Sequence, residues 1–297
     1  MKRLEHREEP PGASIVPGPF LLTRDEFRQI CAMLLEDTGI YLSDAKATLV
    51  YSRLAKRLRA LGLEKFRDYC ALVSSERGVD ERQKMLAALT TNVTGFFREP
   101  HHFEHLKMHV LSRRAAAVRA GARFRIWSAA CSDGREPYSI AMTILSVIPE
   151  AAELDVRVLA TDIDPNMVAA GIAGAYDEEG VRDVPQDLRR RWLRPVAEGG
   201  VRRFAVAPEL ASLVVFRELN LLGPWPIKGQ FDAIFCRNVV IYFEEQTQRT
   251  VMSRFVPALA AEGRLYIGHS ERISGPAASD LESDGITTYR LSRRMEE

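Results

Sequence analysis

Ile126–Met142, IWSAACSDGREPYSIAM, decides the fold. An apolar strand runs into a small polar loop, CSDG, and out along a helix, which is how open α/β sheets hold a nucleotide-like ligand at the carboxyl ends of their strands. Working outward, VLATDID (Val158–Asp164) and AIFCRNVVIYF (Ala233–Phe243) repeat the pattern, each an apolar run with polar residues crowded at its carboxyl end. From Phe124 onward the strand candidates RFRIWSAA, VRVLATDI, FDAIFCR and RLYIGH alternate with helices beginning near Glu136, Asn166 and Glu244, and ITTYRL reads as a final strand. This alternation specifies an α/β fold with a doubly wound parallel sheet. Between Gly171 and Leu219 it lapses into short β-like runs around a Gly199-Gly200 turn, so a small β insertion is expected at about 171–219.

Upstream the pattern is helical from Leu21 to about Asn92. Thr23 can cap RDEFRQICAMLLEDTGI, Ser43 or Asp44 can cap DAKATLVYSRLAKRLRAL, and Gly62 stops the latter. In that second helix Val50, Leu54, Leu58 and Leu61 form an apolar stripe, with Arg53, Lys56 and Arg57 on another side and Arg59 toward a flank. Residues 1–20 mix charges with proline and glycine and read as a mobile tail. The expected division is therefore tail 1–20, helical domain 21–92, and α/β domain 93–297.

The chain has 297 residues, 46% hydrophobic, and a formal charge of +1, so its balance gives no argument for a general nucleic-acid or membrane partner. Cys31, Cys70, Cys131 and Cys236 form no CxxC pair, which argues against a disulfide framework or zinc site and suits a reducing cytosol. The absence of a leader-like segment and of an apolar run of roughly 18 residues or more points to a cytoplasmic protein without membrane insertion.

In CSDG, Gly134 would let the backbone approach a ligand, Glu136 offers a carboxylate over the cleft, and Asp162 ends the next strand where ribose hydroxyls are bound. The loop lacks the GxGxxG that a pyrophosphate favours, so S-adenosylmethionine, with an adenosine and a sulfonium but no phosphate, fits better than a dinucleotide. His101, His105 and His109 share a helical spacing that can in principle bind zinc, but packing explains them more cheaply, and no metal is expected.

Taken in order, TTNVTGFFREPHHF, WSAACSDGREPYSIAM, ATDID, FRELNLL, FCRNVVIYF and IGHSE make the chain resemble the CheR family of chemotaxis receptor methyltransferases over nearly all of 21–291. The resemblance implies a Rossmann-like methyltransferase domain behind an N-terminal all-helical receptor-recognition domain. It also implies transfer of a methyl group from S-adenosyl-L-methionine to glutamate side chains on the cytoplasmic helices of methyl-accepting chemoreceptors, leaving S-adenosyl-L-homocysteine. The family's cofactor contacts fall on Asn92, Thr94, Arg98, Glu136, Asp162, Asn220, Leu221, Cys236 and Arg237. Arg135 departs from the family's frequent second acidic residue and adds positive charge near a sulfonium. Arg98 and Tyr242 are the expected groups for orienting the attacking carboxylate, Arg53, Arg57 and Arg59 the expected receptor contacts, and the β insertion an expected dock for a receptor carboxyl-terminal peptide. The competing readings are the same chemistry in a non-chemotactic signalling system, a noncatalytic cofactor-sensing module, against which retention of Arg98, Asn238 and Tyr242 argues, and a nucleic-acid methyltransferase. The last would show a basic groove and an NPPY-like motif, neither of which is present.

Overall fold

The structure is a computed structural model and describes residues 14–198 and 201–292. It divides into two compact units, Met1–Thr91 and Asn92–Glu297.

The first unit is built from α1 (Arg24–Thr38), α2 (Ala47–Leu61), α3 (Phe66–Val73) and α4 (Val79–Leu89). Thr23 starts α1 through a capping box, its hydroxyl accepting from the Glu26 N–H while the Glu26 carboxylate accepts from the Thr23 N–H, so two otherwise orphaned donors are satisfied. Gly62 ends α2 in the left-handed region at φ 67°, where a side chain would be strained. Val50, Leu54 and Leu58 are buried as their spacing requires, whereas Leu61, at the frayed end of the stripe, is 40% exposed. Part of the expected tail belongs to this core. Val16 is buried, the Ile15 N–H donates to the Leu22 carbonyl, and the Phe20 N–H donates to the Tyr51 hydroxyl. The IVPGPF run is apolar enough to seal the helices despite its prolines. Residues 1–13 lie outside the described residues.

The second unit is organised by a seven-stranded sheet of order β6-β2-β1-β7-β8-β10-β9. Its strands are β1 (Phe124–Ala129), β2 (Val156–Asp162), β6 (Val214–Glu218), β7 (Phe231–Cys236), β8 (Leu259–Ile267), β9 (Leu281–Gly285) and β10 (Thr288–Leu291). The first five strands of that order pair in parallel, and β10 is antiparallel to both β8 and β9. Helices α5 (His101–His105) and α6 (Ser112–Arg119), joined by a wide π turn at Leu106–Leu111, are followed by α7 (Arg135–Val147), α8 (Pro165–Ala173), α9 (Gln186–Trp192), α10 (Pro208–Ala211) and α11 (Glu245–Phe255). Trp127 anchors the core, fully buried against Trp225, Phe231 and Phe255, with its indole N–H donating to the Thr161 hydroxyl at 2.9 Å. Its polar atom is thus satisfied where water cannot reach.

A second, three-stranded antiparallel sheet, β3-β5-β4, is the β insertion, built from β3 (Ala175–Asp177), β4 (Leu193–Glu198) and β5 (Val201–Val206). It is shorter than its expected span of about 171–219. The run VVFRE, read as part of it, is β6 and pairs in parallel with β2 from Val158↔Val214 to Asp162↔Glu218. The expected turn at Gly199-Gly200 lies outside the described residues. Among those residues no helix is long and apolar enough to cross a membrane.

Candidate active site

At the carboxyl end of β1 the backbone turns sharply, with Ala130 at φ 62°, Ser132 at φ 52° and Gly134 at φ 93°. Gly134 is required by packing. A Cβ there would stand 2.9 Å from Gly171 Cα and 3.0 Å from the Tyr176 hydroxyl, so the loop must be bare to lie against α8.

The turn delivers Glu136 to the first turn of α7, where it is buried. Its Oε1 accepts from the Ser128 hydroxyl at 2.7 Å and its Oε2 from Arg237 Nη1 at 3.1 Å. Burial pushes the Glu136 carboxyl up, against the pull of the Arg237 charge and the Ser128 hydrogen bond. Arg237 follows directly on β7, with its side chain 2% exposed. It also lies 3.5 Å from Glu99 Oε2 and donates to the Arg98 carbonyl. For Glu99, burial works against ionisation, but a hydrogen bond from His269 and the Arg237 charge bring its carboxyl down to about 2.

Asp162, at the end of β2, is buried, and desolvation raises its pKa. Its Oδ2 accepts from the Ser132 N–H at 2.7 Å and its Oδ1 from the Asp164 N–H at 2.9 Å. Asp164 caps α8 and accepts from the Asn92 amide at 3.0 Å, while the Ser132 hydroxyl donates to the Asn92 carbonyl. Asn92 is thereby tied to two strand ends. Thr94 is joined in turn, its carbonyl accepting from Arg135. The positive charge of Arg135 is largely absorbed, because its guanidinium pairs with Asp133 at 2.8 Å and lies over the Tyr176 ring.

Asn220 and Leu221 follow β6, whose end is fixed when the Leu219 N–H donates to the Asp162 carbonyl. The Asn220 side chain accepts from the Leu222 N–H, and Leu221 is buried. Cys236 is fully buried, and burial holds its thiol well above the usual range, so it is no nucleophile.

The structure thus gathers these residues in three neighbouring sets, Asn92 with Asp162 through Ser132 and Asp164, Thr94 with Arg135 and Asp133, and Glu136 with Arg237 and the Arg98 carbonyl, with Asn220, Leu221 and Cys236 on adjoining strand ends. Arg98 is half-buried, with Nη1 donating to the Val93 carbonyl at 3.0 Å. Tyr242 closes a 3-10 turn, Val240–Tyr242, half-buried and with no hydroxyl hydrogen bond among the described residues. Among the described residues no hydrogen bond or cation–π contact joins these two side chains to each other.

One anchoring residue beside the site escaped the sequence reading. Glu271 is 4% exposed and accepts four backbone N–H groups, from Asn238 and Gly268 on Oε2 and from Val239 and Val240 on Oε1, at 2.6–3.0 Å. It holds the arch from Asn238, itself at φ 59°, toward Tyr242. The IGHSE motif was its only signal.

In the helical unit, the expected receptor-facing cations are not equally free. Arg53 donates to the carbonyls of Ala88, Leu89 and Thr90, capping the end of α4, and Arg57 grips the buried Glu81 with two bonds of 2.8 and 2.6 Å. Burial disfavours the Glu81 charge, but the Arg57 and Tyr69 hydrogen bonds overcome it and hold the carboxyl below its usual range. Arg59 is exposed, its guanidinium over the Phe20 ring, and Lys56 is exposed beside it.

The fit to a cofactor follows from charge and shape. Around these strand ends the carboxylates of Glu99, Asp133, Glu136, Asp162 and Asp164 outnumber the guanidinium groups of Arg98, Arg135 and Arg237, an environment that favours a cationic sulfonium over a pyrophosphate. A buried carboxylate at the end of β2 beside a strand–turn–helix is the adenosine-binding geometry of open α/β sheets. Fold and site together define a Rossmann-like, S-adenosylmethionine-dependent methyltransferase.

Comparison with known proteins narrows the class. Residues 92–289 match the family model of the CheR methyltransferase SAM binding domain, and residues 25–90 that of the CheR methyltransferase all-alpha domain. The chain belongs to the CheR methyltransferase family. It is 53% identical over 262 residues to a probable chemotaxis protein methyltransferase of Rhizobium etli, covering 88% of this chain and 98% of the relative. It is 43% identical over 276 residues to the chemotaxis protein methyltransferase of Escherichia coli, covering 92% of each. It is 41% identical to that of Salmonella typhimurium over the same length and coverage.

Proposed function

We propose that this chain forms glutamyl methyl esters on the cytoplasmic helices of chemoreceptors, as a cytoplasmic enzyme of chemotactic adaptation. The observation that carries the reading is the carboxylate-rich cluster that includes Glu136, Asp162 and Arg237 at the strand ends, in a chain whose two units both match the CheR family. Bound S-adenosylmethionine would be held by Asn92, Thr94, Arg98, Glu136, Asp162, Asn220, Leu221, Cys236 and Arg237, and would supply a methyl group on an electron-poor sulfur.

The residues have little proton chemistry to perform, because a glutamate is already ionised at neutral pH and is itself the nucleophile. The free hydroxyl of Tyr242 and the remaining guanidinium donors of Arg98 orient the incoming carboxylate, contributing through proximity and partial desolvation. On α2, the exposed Arg59 and Lys56 steer the acidic receptor helix, with Arg53, bonded only to carbonyls, adding long-range positive charge, while Glu81 offsets the charge of Arg57. The edge of the β3-β5-β4 sheet can take a receptor carboxyl-terminal peptide.

The test is incubation with methyl-labelled cofactor and receptor cytoplasmic fragments, followed by mild alkali. Release of labelled methanol is expected; alkali-stable label would exclude an ester product.

A further inference from the structure

Three buried polar atoms at the head of α5 have no hydrogen-bond partner among the described residues: Glu99 Oε2, His101 Nε2 and His102 Nδ1. Donor atoms of the three side chains lie within 4.8 Å of one another. The His102 ring is fully buried, and its Nε2 edge faces the Thr287 hydroxyl at 2.8 Å. That hydroxyl can accept as well as donate, so Nε2 can carry the proton, and in that tautomer Nδ1 presents a lone pair. That lone pair stands 3.6 Å from Glu99 Oε2, an acceptor on a carboxylate only 11% exposed. Two electron-rich atoms facing each other in a buried site repel unless positive charge lies between them. The nearest cation, Arg237, reaches Oε2 only at 3.5 Å and is shared with Glu136. Glu99 is also held in the left-handed region at φ 57°, a backbone strain that aims its side chain at the two imidazoles.

We propose that Glu99 Oε2, His101 Nε2 and His102 Nδ1 form a binding site for a divalent transition-metal ion of the zinc class. Two imidazole nitrogens and one carboxylate oxygen make a borderline donor set, poor for magnesium or calcium and suited to zinc, with a fourth position open. The histidine row noted from sequence is a different set and does not converge. His105 is engaged by the Tyr266 hydroxyl and the Asp284 carbonyl and stacks on His109. Because Glu99 also holds His269 through Oε1 and faces Arg237, an ion at this site draws on the carboxylate that balances Arg237. Occupancy is therefore expected to slow methyl transfer. The ligand assignment itself does not depend on that reading of function.

The experiment is titration of the untagged full chain with cobalt(II), followed by visible absorption, then competition with zinc(II). One equivalent of cobalt should produce ligand-field bands of four-coordinate N,O type, and zinc should displace it. His101→Ala, at a half-buried ring, and Glu99→Gln, which keeps the side chain's shape, should each weaken binding by at least ~10-fold, with far-UV circular dichroism confirming that both fold. His109→Ala, outside the triad, should bind as the parent does. Absence of the bands, survival of full affinity in both triad variants, or equal loss in His109→Ala would each overturn the assignment.

Discussion

Glu271→Gln tests the arch between β7 and α11 with almost no change of shape. Whichever way the amide is turned, one oxygen that accepts two N–H groups becomes an NH2 that can accept neither. The orphaned pair is either Val239 and Val240 or Asn238 and Gly268. A hydrogen bond to a charged acceptor contributes about 1.5–3 kcal/mol, so two lost bonds amount to about 3–6 kcal/mol before relaxation. Local rearrangement lowers that, and about 3 kcal/mol is the working figure. Because the chain has two units, a single global unfolding curve is a poor readout. Amide hydrogen exchange is better, since it reports the opening free energy of this arch alone. The amides of Val239, Val240 and Gly268 should exchange about two orders of magnitude faster in Glu271→Gln, as a 3 kcal/mol change in opening requires. Methyl transfer should fall with them, because the same arch carries Tyr242. Exchange within a factor of about three of the parent, together with unchanged turnover, would refute the view that this carboxylate organises the site.

Arg98→Ala and Tyr242→Phe should each retain measurable cofactor binding by calorimetry while losing methyl transfer, by about 10- to 1,000-fold if positioning is their role; full turnover in both would remove them from the mechanism. Arg59→Glu should raise the KM for receptor fragments by up to about fivefold, on the scale of one exposed ion pair of up to about 1 kcal/mol, without moving cofactor affinity. Arg53→Glu is the poorer probe, because it also uncaps α4. The two units should differ in acid sensitivity. In the second unit, burial pushes His105 below its ordinary value of 6.5, so the unfolded chain binds the extra proton and stability is lost as pH falls through about 6.5. In the first unit the depressed Glu81 carboxyl gives stability that is lost only as pH falls below about 4.5. Urea midpoints followed with a probe in each unit between pH 7 and 4 would show the second softening first; coincident acid profiles would contradict the assignment.

What was legible in the sequence is what local chemistry determines. The capping box at Thr23, the left-handed stop at Gly62 and the strand–turn–helix from Ile126 to Met142 depend on residues within one or two turns of each other, and the structure has all three. The misreadings arise where partners come from far away in the chain. VVFRE could be placed in the parallel sheet only by knowing that β2, some fifty residues earlier, lies alongside it. The hairpin of β9 and β10 was seen as one strand because LESDG is too polar to announce an edge strand, although edge strands are where polarity is tolerated.

The candidate site divides in the same way. Asp162 could be found because it ends its own apolar run, and Glu136 because it opens the helix that follows another. Glu271 could not, since three of the four N–H groups it accepts lie about thirty residues upstream and nothing in HSE distinguishes a buried anchor from a surface acid. Periodicity likewise put Arg53 and Arg57 on one face but could not show that the end of α4 and Glu81 come to meet it. A charge in a sequence is therefore a weak guide to recognition until its partner is known. On α2 that leaves Arg59 and Lys56, exposed and bonded to neither an acid nor a helix end, as the pair to which the proposal assigns receptor steering.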